Sequence, residues 1–235
     1  LMVPSDGQVP TRVLGEIRRL GAQEAVILGG NAAVSDDVEA QFQQAGLQTA
    51  RRQGGSRFET AIEIARAEAP EATTAILARA GASDPNNPTQ GFADALASGA
   101  MAAENGWPIL LTDTNALTAA TREYMSDSSI ERVLIIGGTA AVSAAVEDEV
   151  RSMVGSTERI AGDSRAGTAI EIAKELLPRM KAINAILEVE IGVVGGEEDG
   201  VQHEGSNEAL YTTFADVDQA VQALGLGEQG RYIAE

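Results

Sequence analysis

The sequence predicts an α/β fold made of repeated Rossmann-like or flavodoxin-like parallel-sheet units, on three observations. Short, near-continuous aliphatic runs such as Ala75-Ile76-Leu77-Ala78 read as strands buried on both faces. Each is followed by a longer stretch with helical spacing, the alternation expected of a parallel sheet covered by helices. The pattern also repeats. Residues 26–35 (VILGGNAAVS) match 134–143 (LIIGGTAAVS) at an offset of 108, and the same offset aligns GGSRFETAIEIA at 54–65 with GDSRAGTAIEIA at 162–173, identical at nine of twelve positions. It also places Leu1-Met2-Val3 against Ile109-Leu110-Leu111. Three matches in one register mark a duplication, with residues 1–49 the later part of one copy and 50–174 a complete copy plus the start of the next.

Along the complete copy, Ala75–Ala78 is the first strand. Phe92 to Asn105 is a helix with Phe92, Leu96, Ala100 and Ala103 near one face, stopped by Gly106-Trp107-Pro108. Ile109-Leu110-Leu111 is the second strand, 118–127 the second helix and Val133–Ile136 the third strand, closed by Gly137-Gly138. Ser143 stands where an N-cap belongs, ahead of a helix carrying Val146, Val150 and Val154. Ser35 takes the same place in the earlier copy, with Asp36 and Asp37 in the first turn, where the helix dipole favours acids.

Composition narrows the chemistry. The 235 residues carry 17 basic and 35 acidic side chains, a net charge of −18, with no cysteine and one histidine. That excludes disulfides and thiolate metal sites, and multi-histidine metal sites. It disfavours nucleic acid and anionic membrane as partners, since both reward basic patches. No apolar run is long enough to span a membrane. No signal peptide opens the chain, whose first residue is Leu.

Several motifs could carry function. The Gly-Gly junctions after the strands could cradle a phosphate at a helix start, but GxGxxG spacing and a P-loop lysine are both missing, and paired glycines also serve tight turns. Arg57 and Arg165, each after a serine and ahead of a TAIEIA helix, could grip a carboxylate or phosphate bidentately. An ion pair with a neighbour such as Glu59 is the structural alternative for Arg57, although Gly167 replaces that glutamate in the other copy. Asp94 lies on a helix of small residues, and Asp113 follows the ILL strand, where open α/β sheets place their ligands or where it could cap the next segment.

The ordered set FADALA, PILLT, IIGGTAAVS, RIAGDSR and GTAIEIA resembles the cell wall-binding repeat 2 family of bacterial and archaeal surface proteins, over roughly residues 1–174. The resemblance implies a non-catalytic module of the cell wall or extracellular surface, usually present in three tandem copies packed as a pseudo-threefold trimer. It implies attachment to an anionic cell-wall polymer, with further copies of the repeat as partners and no cofactor. Carried over, it points to Ile109, Leu110 and Leu111, and more loosely to Arg57 and Arg165, as polymer-binding residues, and Asp113 joins them from its place at the end of the ILL strand. The sequence departs from the family in lacking three full copies and in having Ala166-Gly167 where the other copy keeps Phe58-Glu59.

After Lys174 the repeat gives way to a different text. Ala185–Val194 reads as a strand, Gly195–Asn207 as a polar acidic loop and Phe214–Leu224 as a helix. LEVEIGVVGGEEDGV followed by LYTTFADVDQAV resembles an internal segment of class II (metal-dependent) fructose-bisphosphate aldolase, so residues 175–235 read as a β-loop-α fragment of TIM-barrel origin. The resemblance implies a proton-transfer glutamate at Glu198 and a carboxylate near the metal site at Glu190. Zinc or another divalent metal, aldol cleavage of fructose 1,6-bisphosphate and a cytoplasmic setting belong to that alternative alone. Its metal is held mainly by histidines, and the chain has only His203; a TIM barrel takes about 250 residues. The expectation is therefore an inactive fragment, with the tail packed loosely on the repeat or borrowing a place in its sheet. The two texts meet in AIEIAKELLPRMKAI, which suits both.

Overall fold

The structure, a computed structural model, describes residues 1–81, 91–189, 197–198, 201–202 and 213–234. It opens with a half-unit: α1 (Thr11–Leu20), β1 (Glu24–Leu28), α2 (Asp36–Gln44) and β2 (Gln48–Arg52). β1 and β2 pair in parallel, from Glu24↔Gln48 to Leu28↔Arg52. Ser35 caps α2 by accepting from the Val38 amide, as its position suggested. Val13 and Ile17 of α1 and Val38 and Phe42 of α2 pack on Ile27, so both helices cover one face of the pair. The opposite face is bare: Val26 and Leu28 are exposed. Leu1-Met2-Val3, the counterpart of the ILL strand, takes no strand conformation. It has no neighbour of its own to pair with among the described strands.

The central unit runs α3 (Arg57–Glu68), β3 (Thr74–Arg79), α4 (Ala93–Ala97), α5 (Gly99–Asn105), β4 (Ile109–Thr112), α6 (Ala119–Asp127), β5 (Arg132–Ile136), α7 (Ala144–Met153) and β6 (Ser156–Ile160). Its strands form one parallel sheet in the order β4-β3-β5-β6, the flavodoxin-like order with its switch point between β3 and β5. Helices α3, α6 and α7 cover the face of Leu77, Leu110, Val133 and Ile135. The other face, with Ile76, Ala78, Leu134 and Ile136, packs against Met101 and Ala102 and a later helix.

The 92–105 helix differs from its expectation in two ways. It is two short helices hinged at Ser98, whose hydroxyl donates to the Ala95 carbonyl at 2.8 Å. The buried side is Asp94, Ser98, Met101 and Ala102, at i, i+4, i+7 and i+8, whereas Phe92, Leu96, Ala100 and Ala103 face outward. An apolar stripe lost to a buried carboxylate and hydroxyl because those two small polar groups fit against the sheet end, where a leucine would not.

The remaining elements are α8 (Arg165–Ala182), β7 (Ile186–Val189), β8 (Glu197–Glu198), β9 (Val201–Gln202), α9 (Phe214–Leu224) and β10 (Arg231–Ala234). α8 runs through the 174/175 boundary without interruption, and Pro178 lies inside it. β7 takes up the described part of the 185–194 strand. The 195–207 segment, read as loop, contains the two-residue antiparallel pair β8–β9. β10, which the sequence did not suggest, pairs in parallel with β7 from Ile186↔Arg231 to Val189↔Ala234. Helices α8 and α9 both lie on the face of Leu187 and Val189. Two helices on one side of a parallel pair is the layering of a TIM-barrel segment. The described part of the tail is neither loosely packed nor, among the described strands, added to the central sheet. Its Leu187, Val189, Ala220 and Leu224 share one core with Ile76, Leu134 and α8.

Candidate functional site

The carboxyl ends of the central strands gather most of the chemistry. Arg57, the first residue of α3, donates from Nη1 to the Ala80 carbonyl at 3.0 Å, just past β3. Asp113 follows β4; its Oδ1 would lie 3.2 Å from a Cβ placed on Gly81. Arg57 and Asp113, singled out separately in the sequence, thus both lie against the turn after β3, at Ala80 and at Gly81. The structural role of Arg57 is a bond to a carbonyl, in place of the ion pair with Glu59 that the sequence suggested.

The ILL strand divides by side-chain direction. β4 is paired with β3 alone among the described strands, so it forms the sheet edge. Leu110 is 0 % exposed inside the core and reaches no surface. Ile109 and Leu111 are half-buried. The Leu111 carbonyl accepts from Thr121 Oγ1 at 2.6 Å. Of the three residues carried over as polymer contacts, Ile109 and Leu111 remain accessible in part. Arg165 begins α8, but its side chain is outside the described residues. The same holds for the Glu198 side chain, and Glu190 and His203 lie wholly outside them.

The Gly-Gly junctions are braced turns. Gly137 has φ +97°, and a Cβ there would meet the Asp94 carboxylate and Ala141 at under 3 Å. Its amide donates to the Ile160 carbonyl at 2.9 Å. Its carbonyl accepts from Arg159 Nη1 at 2.6 Å, and the Val142 carbonyl accepts from Arg159 Nη2 at 3.0 Å. Arg159 also binds Glu147. Arg51 repeats each bond in the first copy, to Gly29, Val34 and Glu39. Of the amides that could serve a phosphate, those of Gly137, Ala141, Val142 and Ser143 donate within the protein, to the carbonyls of Ile160, Gly138, Gly138 and Thr114. Ser143 further caps α7 by accepting from the Val146 amide.

These arginine clamps were missed in the sequence, although the signal was present: Arg51/Arg159 and Glu39/Glu147 both keep the 108-residue offset. Arg79, buried at the switch point beside β5, was not singled out, whereas Asp94 was and is buried there as well. Arg79 ends β3 and donates to the Ala140 carbonyl at 3.4 Å. Thr60 and Thr168 accept from the Gly54 and Gly162 amides, fixing the turn before each TAIEIA helix.

Among the described residues no three of His, Asp or Glu come together as metal ligands. With one histidine and no cysteine in the chain, the donors do not fit a metal held mainly by histidines. No described helix is long and apolar enough to cross a membrane.

Comparison with known proteins follows this division. Residues 51–147 match the family Cell wall binding domain 2 (CWB2). Residues 163–229 match Fructose-bisphosphate aldolase class-II. The fructose-bisphosphate aldolase of Streptomyces coelicolor is 53% identical over 79 residues, 34% of this chain and 21% of that protein. That of Corynebacterium glutamicum is 58% identical over 65 residues, 27% of this chain and 18% of that protein. The N-acetylmuramoyl-L-alanine amidase LytC of Bacillus subtilis is 30% identical over 162 residues, 68% of this chain and 29% of that protein. The chain therefore spans under a third of each of these relatives. Among solved structures, Cwp8 from Clostridium difficile aligns with TM-score 0.66 and 24% identity, over 100% of this chain and 35% of that one. Cwp6 from the same organism aligns with TM-score 0.66 and 22% identity, over 78% of this chain and 28% of that one. The chain is thus similar to Cell wall binding domain 2 over residues 51–147 and to class-II fructose-bisphosphate aldolase over residues 163–229.

Proposed function

We propose that the chain is a non-catalytic attachment module that holds an anionic cell-wall polymer, with the aldolase segment serving as packing rather than as an enzyme. The supporting observation is the match to Cell wall binding domain 2 over residues 51–147. Within it, Arg57 and Asp113 stand at the carboxyl end of the sheet, and Ile109 and Leu111 lie half-buried along its edge strand. A guanidinium can take a phosphate or carboxylate through two parallel bonds. The net charge of −18 opposes an anionic polymer at long range. Contact therefore relies on local arginines, Arg57 and Arg165, and on a cation bridging Asp113 to the polymer. Several linked copies of the repeat raise retention through effective concentration, which makes further repeats natural partners and the cell wall the place of action. No cofactor is needed.

Co-sedimentation with purified cell walls tests this reading. The chain should pellet with walls carrying their anionic polymer and be lost when the polymer is stripped; equal recovery with both would overturn it. The identity of 53–58% to aldolases over the tail favours a second reading, metal-dependent cleavage of fructose 1,6-bisphosphate. Cleavage by the purified chain with added zinc would establish it, and the absence of product would remove it.

A further inference from the structure

Helices α8 and α9 meet over a cleft of about 410 Å³, within the roughly 300–1,000 Å³ of small-molecule sites. Three segments line it: the turn Ala161-Gly162-Asp163 after β6, the α8 face with Gly167, Glu171 and Lys174, and the α9 face with Gln219 and Gln222. None of these residues belongs to the Arg57 and Asp113 site.

The duplication shows why the space is open. At the 108-residue offset, Gly167 corresponds to Glu59, Gly162 to Gly54, and the pair Glu171–Lys174 to Glu63–Arg66. At α3 the space is filled. A Cβ on Gly54 would collide with the Glu59 Cβ, and one on Gly55 would lie 2.9 Å from Glu59 Oε2, so that side chain covers the turn. Arg66, paired with Glu63 at 2.9 Å, lies 6.0 Å from the centre of the Tyr124 ring of α6. At α8, Gly167 brings no side chain over the turn, and α9 sets Gln219, Gln222 and Ala223 across from Glu171 and Lys174. The ion pair is kept: Lys174 Nζ is 2.6 Å from Glu171 Oε1, with the side chains 38% and 40% exposed.

The lining selects the guest. Apolar contact is limited to Ala161, Ile170 and Ala223, too little for an apolar molecule. An anion would face Asp163 and Glu171 in a chain of net charge −18, and a cation would face Lys174. A neutral guest rich in hydroxyls meets neither penalty, because each hydroxyl both donates and accepts. The Asp163 and Glu171 carboxylates accept, and the Gln219 and Gln222 carboxamides do both. Lys174 can donate without leaving Glu171, since an ammonium has three protons. We infer that the cleft between α8 and α9 binds a neutral sugar ring. This site is separate from the polymer contact at Arg57 and Asp113 and stands whether or not the chain attaches to walls.

NMR titration of the 235-residue chain tests it, with glucose, mannose, galactose and N-acetylglucosamine as probes. At least one should give saturable millimolar shifts at the Gln219 and Gln222 side-chain amides and the Gly162 and Gly167 backbone amides. Glucuronate should shift them less than glucose. Gly167→Gln returns a side chain as long as that of Glu59 without a second negative charge beside Asp163, and glutamine suits a helix better than glycine. It should weaken binding at least about tenfold and leave circular dichroism unchanged. Gln222→Ala, at an exposed position, should weaken binding several-fold. No saturable shift with any of the four sugars, shifts that miss these amides, tighter binding of glucuronate, or parent-like binding by both variants would overturn the assignment. Wall co-sedimentation of Gly167→Gln separates the two sources of such a ring, both consistent with the site. Lower retention than the parent makes it a unit of the wall polymer, and equal retention makes it a free sugar.

Discussion

Arg159 holds Glu147 through two bonds to one carboxylate oxygen, from Nε at 3.0 Å and Nη2 at 2.6 Å. Its remaining reach ties the turn after β5, through Gly137 and Val142, to the end of β6. Both side chains are largely enclosed, at 16% and 19% exposure. Arg159→Ala leaves the Glu147 carboxylate with only the half-exposed Arg151, which holds its other oxygen at 2.7 Å, and takes the Arg159 donors from two carbonyls. A loss of about 1–3 kcal/mol is expected, given the cost of removing hydrogen bonds from largely enclosed partners. Urea unfolding checks it, and Arg132→Ala, whose pair with Glu158 is exposed, should cost well under about 1 kcal/mol.

Gly137 and Gly138 make an internal control for the turn. Gly137 combines positive φ with close packing of Asp94 and Ala141, whereas nothing lies within 4 Å of a Cβ on Gly138. Gly137→Ala should destabilise by more than about 1 kcal/mol. Gly138→Ala should stay within about 0.5 kcal/mol of the parent. Equal effects in thermal melts would contradict this account of the paired glycines.

The ILL strand permits attachment and stability to be separated. Leu110→Ala opens a cavity in a sealed core and should cost about 2–5 kcal/mol. Wall binding per folded molecule should be unchanged. Arg57→Ala removes one bond to a carbonyl, about 1 kcal/mol, yet should weaken wall co-sedimentation. An Arg57→Ala variant that kept full retention would place the polymer elsewhere.

Much of this was legible in the sequence because it follows from local rules. Ser35 and Ser143 cap their helices where the first-turn pattern put them, and Phe214–Leu224 is a helix over the residues expected. What was illegible depended on three-dimensional neighbours. Leu96 looks like a core residue by spacing, but Asp94 takes the buried place because Gly137 leaves room for a carboxylate. Arg57 and Asp113 each suggested a ligand, but only the sheet order brings both to the turn after β3. β10 has no signal of its own until β7 offers an edge. The join at Lys174 is a change of text with no break in structure, since α8 serves both sides.

That continuity predicts one cooperative unit from β3 to β10. Leu224 of α9 is fully enclosed in the core it shares with Ile76 and Leu134. Leu224→Ala should lower stability by about 2–5 kcal/mol, and tail and central sheet should unfold together in one calorimetric transition. A separate early transition for the tail would show that the shared core does not couple them.

The first half-unit should show its own acid sensitivity. The Arg51 guanidinium, and then the Thr49 hydroxyl at 2.8 Å, hold the Glu39 carboxyl below the ordinary glutamate range. A carboxylate whose folded pKa is depressed contributes stability that is fully present above its unfolded value. That contribution disappears as pH falls through the folded value, because only the folded state resists protonation. Acidification should therefore weaken packing of α2 on β1 and β2 below the ordinary glutamate range and leave it unaffected at neutral pH. Glu39→Gln should flatten this dependence while lowering stability at neutral pH. Carboxyl-carbon NMR of Glu39 checks the direction, and a titration midpoint at or above that of an unfolded-chain glutamate would remove the basis for it.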